Sequence, residues 1–216
     1  MVDEEQIVKS HKTLKSRYSN EKLLQSAALR RAHLNYNKIS FGKNLNAKKK
    51  YLRLLLSQAH TAYYLGSFHA CVAVCGSLLE ALLQTKIRKE LREKGKIDFY
   101  YYFQGKKKNC IDTLEDLDRI TFNDMINLSK HNKYFSIESF TDLCNIKEIR
   151  NQALHSRLSP FVQTKDNYLL NIERINKKIT VTLEKSEVDE LKDDGFQITA
   201  YYCISRMRNI FKELIE

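Results

Sequence analysis

The sequence predicts an all-α fold, closed near its C-terminus by a small β-hairpin and a terminal helix. Three observations lead there. The 216 residues contain only one proline and six glycines, too few breakers for a loop-rich chain. Apolar residues recur at steps of three and four along most of the length. With 43% hydrophobic and 29% charged residues, the chain can bury a substantial core, which excludes a disordered polymer.

The elements follow in order. Residues 1–19 are polar, and a helix is expected from Asn20, carrying Leu23, Leu24, Ala27, Ala28 and Leu34. Phe41-Gly42-Lys43-Asn44 breaks it. Ala47–Leu65 has Leu52, Leu55, Ala59, Ala62 and Tyr63 at helical spacing, and Gly66-Ser67 makes a tight connection. Phe68–Leu91 is apolar nearly all round, as a central helix is. Its carboxylate Glu80 stands alone in that run, and Gly76 one turn earlier allows a second helix to come close. Asp98–Lys108 reads as a loop or a short helix, with tyrosines followed by lysines. Cys110–Leu128 reads as one helix from Ile111, Leu114, Leu117 and Ile120. Ile137–Leu154 is the next, and Ser159-Pro160 ends that region. Tyr168–Ile175 and Lys178–Leu183 are β-rich runs around an Asn176-Lys177 turn. Ser186 is expected to cap a short acidic helix, broken at Gly195, before the closing helix Ile198–Ile215. This gives a basic helical extension over 1–46, a helical core over 47–160, and a hairpin with C-terminal helices over 161–216.

Formal net charge is +11, and residues 1–50 alone carry twelve Lys/Arg against four Asp/Glu. Such asymmetry favours a polyanionic partner, with RNA or DNA first and an anionic membrane second. The five cysteines form no Cys-x-x-Cys pair and no zinc spacing, so they read as buried thiols of a reducing, cytoplasmic setting. No leader is visible, and the apolar stretch Ala70–Leu83, interrupted by Ser77 and Glu80, is short for a bilayer span. No metal or other cofactor is expected.

The chemistry concentrates in Arg150-Asn151-Gln152-Ala153-Leu154-His155. At about 100° per residue, Arg150 falls inside the apolar arc of Leu143, Ile146, Ala153 and Leu154. A permanent cation there needs a partner. Asn151 and His155, four apart, share the neighbouring face. A guanidinium, an amide and an imidazole on one patch can neutralise, orient and protonate a phosphate. The alternative is structural: Arg150 paired with Glu80, and His155 favoured by the helix C-terminal dipole. Lys147 and Arg157 flank the motif, and Lys106 and Lys107 follow the tyrosines, as phosphate-binding candidates or as solvated charges.

Two segments together resemble the HEPN superfamily. Ala62-Tyr63-Tyr64-Leu65-Gly66-Ser67-Phe68-His69-Ala70, followed by Ser77-Leu78-Leu79-Glu80-Ala81-Leu82-Leu83, is similar to its first core helix pair. Ile146–His155 looks like its signature, an arginine and a polar residue followed by a histidine with four positions intervening. The resemblance covers roughly residues 48–158 and implies a four- or five-helix bundle that forms a homodimer. It implies a metal-independent endoribonuclease of defence, toxin–antitoxin or stress regulation, with RNA as substrate and an antitoxin or defence-system protein as possible partner. Arg150, Asn151 and His155 would be catalytic and Glu80 would hold Arg150. The same family implies a rival, a non-catalytic module that binds nucleotide or a partner protein.

Overall fold

The computed structural model describes residue 27 and residues 50–155, 157–174, 177–188 and 194–215. The helix expected from Asn20 and the break at 41–44 lie outside these, apart from Ala27, which is helical and buried. The elements run α1 (Lys50–Tyr64), α2 (Phe68–Lys94), β1 (Ile97–Phe103), β2 (Lys106–Ile111), α3 (Leu114–Arg119), α4 (Phe122–His131), α5 (Ile137–Leu154), β3 (Val162–Gln163), β4 (Asn167–Arg174), β5 (Lys177–Glu184) and α6 (Gly195–Ile215). The fold is therefore mixed helix and sheet, with one two-stranded and one three-stranded antiparallel sheet among the described residues, and the all-α expectation is corrected. The chain divides into two compact units: Met1–Cys71 with Ser159–Tyr201, and Val72–Leu158 with Tyr202–Glu216.

In the first unit α1 buries Leu52, Leu55, Leu56, Ala59 and Tyr63 along one stripe. The expected C-terminal hairpin is present as β4–β5, and a two-residue strand, β3, adds a third member on β4. Its register pairs Tyr168 with Leu183 and Leu170 with Val181, all four buried, so one face carries the apolar set. Asn176 and the acidic residues Asp189 and Glu190 lie outside the described residues. The helix expected from Ser186 is a single 3-10 turn, Lys185–Glu187, as far as it is described.

Gly195 opens α6. Asp194 caps that helix, accepting from the backbone N–H of Phe196 at 3.0 Å and of Gln197 at 3.3 Å. A side chain at Gly195 would strike the Phe161 carbonyl oxygen and lie 2.7 Å from the Pro160 Cβ. The neighbours are backbone and a rigid ring, so they cannot move aside. Gly195→Ala is expected to cost about 1–3 kcal/mol by overpacking, outweighing about 1 kcal/mol of helix propensity, as a denaturation midpoint would show.

In the second unit no residue of α2 from Val72 to Gln84 is exposed. By length and composition α2 could cross a membrane, contrary to the reading of its apolar stretch as too short, although half of that window is buried within the protein. The run Asp98–Lys108 is neither loop nor helix. It is a β-hairpin whose two-residue turn, Gln104-Gly105, has φ of 50° and 74°. Positive φ at both positions is the primed turn that matches strand twist, and glycine takes it without strain. The single helix expected over Cys110–Leu128 is likewise corrected. Residues through Ile111 belong to β2, and two short helices follow, capped by Thr113 and Thr121.

Asp116 ties these pieces together. It accepts from the Tyr101 hydroxyl at 2.9 Å and from the Thr113 hydroxyl at 2.7 Å. The Thr113 hydrogen bond, opposed by burial and helped by Tyr101, lowers its pKa to about 2. A carboxyl with a depressed folded pKa stabilises above its unfolded value of about 3.9 and loses that contribution as pH falls through the folded one. Melting temperature should therefore fall between about pH 4 and pH 2, and Asp116→Asn should remove that part of the acid sensitivity.

Candidate functional site

Helix α5 carries the motif, and its start is fixed first. Ser136 caps it, its hydroxyl accepting from the Ser139 N–H at 3.2 Å. Glu213 accepts from the Ser136 N–H at 3.0 Å and from the Ser139 hydroxyl at 2.6 Å. Burial alone would raise the Glu213 pKa, but these hydrogen bonds outweigh it and hold the carboxyl below its usual range. Further along, Asp142 is buried and accepts from the Tyr202 hydroxyl at 3.0 Å, with the Arg206 Nε 3.8 Å from its other oxygen. Asn145 donates to the same Tyr202 oxygen at 3.2 Å. Burial, then the Asp142 charge, pushes the Tyr202 phenol well up, so it stays a donor. These contacts set the axial position and rotation of α5.

Arg150 sits where α5 meets α2 at Gly76. Its methylene stem occupies the space a side chain on Gly76 would need, with the Arg150 Cβ 2.9 Å and Cδ 3.1 Å from an ideal Cβ there. The close approach expected of Gly76 is used by this one side chain. Its Nη2 lies 3.5 Å from Glu80 Oε2, and its Nη1 donates to Asn151 Oδ1 at 3.3 Å. The guanidinium carbon stands 5.9 Å from the Phe122 ring centroid, within cation–π range. Its Nε is buried and finds no partner among the described residues. The Arg150 side chain is 22% exposed and Glu80 31%. A charge pinned by its stem, an aromatic face and one long ion pair loses little entropy when it meets an anion.

His155 is the C-cap of α5, with φ −95° and its backbone N–H on the Asn151 carbonyl. The side chain is exposed and makes no hydrogen bond or ion pair with the described residues. Five helical steps turn it about 140° from Arg150. The structure thus brings together Arg150, Asn151, Glu80 and Phe122, and does not bring His155 into hydrogen-bonding contact with them. Asn151 is half-buried and spends its oxygen on Arg150.

The flanking cations divide. Lys147 is engaged: its Nζ donates to Asn123 Oδ1 at 2.7 Å and lies 3.2 Å from Glu148. Arg157 is exposed, its backbone N–H bonded to the Gln152 carbonyl. Lys106 and Lys107 are exposed on β2, away in sequence from the motif, with Lys107 Nζ 4.5 Å from the Tyr100 ring centroid. Cys71, Cys75 and Cys203 are buried thiols, and burial pushes Cys203 well up. Among the described residues no three His, Cys, Asp or Glu side chains cluster as metal ligands.

Sequence reading missed Phe122, whose contact with Arg150 depends on where α4 packs. It also missed the group on Glu90, a buried carboxylate bonded by the Tyr134 hydroxyl and by Lys94 at 2.5 Å. The Glu90–Lys94 spacing of four was the readable signal. No family model, no curated protein and no solved structure matches the chain.

Proposed function

We propose that this chain is a metal-independent endoribonuclease acting through Arg150, Asn151 and His155 at a seam between two copies. The observation that carries the reading is the end of α5. There a half-buried guanidinium, held by Glu80, Phe122 and Asn151, lies within a turn and a half of an exposed imidazole with no competing side-chain partner among the described residues. The likeness of this segment to the HEPN signature supports it.

RNA supplies its own nucleophile, so the protein needs a base, an acid and a cation. His155 takes the proton from the ribose 2′-hydroxyl as its oxygen attacks the adjacent phosphorus. The bond from phosphorus to the 5′-oxygen breaks, and the partner's His155 returns a proton to that oxygen. Arg150 neutralises charge gathering on the phosphorane oxygens. The products are a 2′,3′-cyclic phosphate and a 5′-hydroxyl. A second copy provides the second imidazole, which one chain lacks. The test is end-group analysis of RNA incubated with purified protein in EDTA. Cyclic-phosphate ends support the reading, and cleavage only on addition of Mg²⁺ removes it.

A second reading has its own observation. The Arg150–Glu80 pair gives the cation a counter-charge within the chain, which fits a non-catalytic nucleotide- or partner-binding module. It gains if wild-type protein and His155→Ala behave alike on RNA.

A further inference from the structure

We propose that the β1–β2 hairpin and the cleft beside it form a stacking platform for single-stranded RNA. This names the form of substrate for the ribonuclease reading, and it rests on that reading only for the choice of RNA as the polymer.

Tyr101 is 1% exposed and donates its hydroxyl to Asp116, which fixes which way the strand faces. Tyr100 and Tyr102, on either side of Tyr101 and past the register irregularity between Asp98 and Tyr101, are 67% and 70% exposed. Two tyrosine rings this exposed on one short strand add little to the core of the described fold. They stand two positions apart on the strand, so each can take one unpaired base.

Lys107 pairs with Tyr102 in the hairpin register and so shares that face, with its ammonium 4.5 Å from the Tyr100 ring centroid. A base seated on Tyr100 displaces it toward the neighbouring phosphate. Lys106 and Lys108, its neighbours in sequence, are exposed on the other face of the strand. The local charge is positive, as a polyanion needs.

The platform runs into an open cleft of about 560 Å³ between the hairpin and α4. Tyr100 and Phe99 line one side, and Asn109, Asn127, His131 and the Lys96–Asp98 ion pair line the rest. Amides beside an aromatic ring are what an unstacked base meets when its edge is hydrogen-bonded and its face is covered. A duplex hides those edges and faces, so it cannot use this surface.

The experiment is fluorescence anisotropy with a labelled 10-nucleotide RNA and its duplex, using full-length His155→Ala protein in EDTA so that nothing is cut. Single strands should bind at least about tenfold more tightly than duplex. Tyr100→Ala and Tyr102→Ala should each weaken binding about fivefold or more. Tyr100→Phe and Tyr102→Phe should keep it, because the ring and not the hydroxyl stacks. Lys107→Ala should lower the salt slope by about 0.7. Equal binding of duplex, or alanine variants that bind as the parent does, would overturn the platform and leave a charged patch. So would tyrosine variants that lose only binding to anionic vesicles or to an acidic peptide. Because binding is read without cleavage, an inactive wild-type enzyme with intact tyrosine-dependent binding refutes the ribonuclease reading alone.

Discussion

His155→Ala should lower the rate of RNA cleavage by about 10²–10⁴-fold and leave the melting temperature unchanged. The rate loss is the usual contribution of a positioned acid or base. Unchanged stability follows from the place of the side chain. It is exposed at the helix C-cap and bonded to no described side chain, and such substitutions stay within about 0.5 kcal/mol. Arg150→Ala should differ. It should also remove cleavage, but it deletes the stem over Gly76 and the contact with Phe122, and leaves Glu80 without that partner. Activity and stability should therefore fall together for Arg150 and separate for His155. Parallel measurement of cleavage rate and thermal melting checks the contrast. Loss of fold in His155→Ala would assign that imidazole to structure.

Gly76→Val should destabilise the protein by about 3 kcal/mol or more, and Gly76→Ala by about 1–2 kcal/mol. Two effects compete. Replacing a mid-helix glycine gains about 1 kcal/mol of propensity. Against it, the new Cβ would overlap the Arg150 Cγ and come to 2.9 Å from its Cβ. Those atoms are the root of the side chain and cannot swing away as its tip could, so α5 itself must shift. Overpacking of this kind outweighs the propensity gain. The coupling is measurable: Gly76→Ala combined with Arg150→Ala should cost less than the two losses added, by a double-mutant cycle in urea. Strict additivity would contradict the packing described.

What could be read from the sequence follows from the physics of each segment. The helices α1 and α6 were legible because each is long and repeats its apolar residues at helical spacing, α2 because a long run is apolar nearly all round, and α5 from Leu143, Ile146 and Ile149 at three-residue steps. Strands β4 and β5 were legible because Tyr168, Leu170 and Ile172 alternate with polar or outward residues. The β1–β2 hairpin was hidden because Phe-Tyr-Tyr-Tyr-Phe shows no alternation of polarity, tyrosine serving equally inside and outside. Its signal was Gln104-Gly105 between two β-compatible runs. The merged helix over Cys110–Leu128 arose because Ile111, Leu114, Leu117 and Ile120 imitate one continuous stripe. Thr113 with Asp116, and Thr121 with Asp124, are two capping signatures three residues apart that mark two separate starts. At the site, the pairing of Arg150 with Glu80 and the role of Gly76 were readable from burial and charge. The ring of Phe122 was not, since a contact between α4 and α5 leaves no trace in local spacing.

The most direct measurement is cleavage in EDTA of two RNAs identical except for a 2′-deoxy substitution at the linkage wild-type protein cuts. This linkage alone should become resistant, with a cyclic phosphate left on the unmodified RNA. Cutting at the deoxy position, or no cutting of either RNA until Mg²⁺ is added, would contradict it.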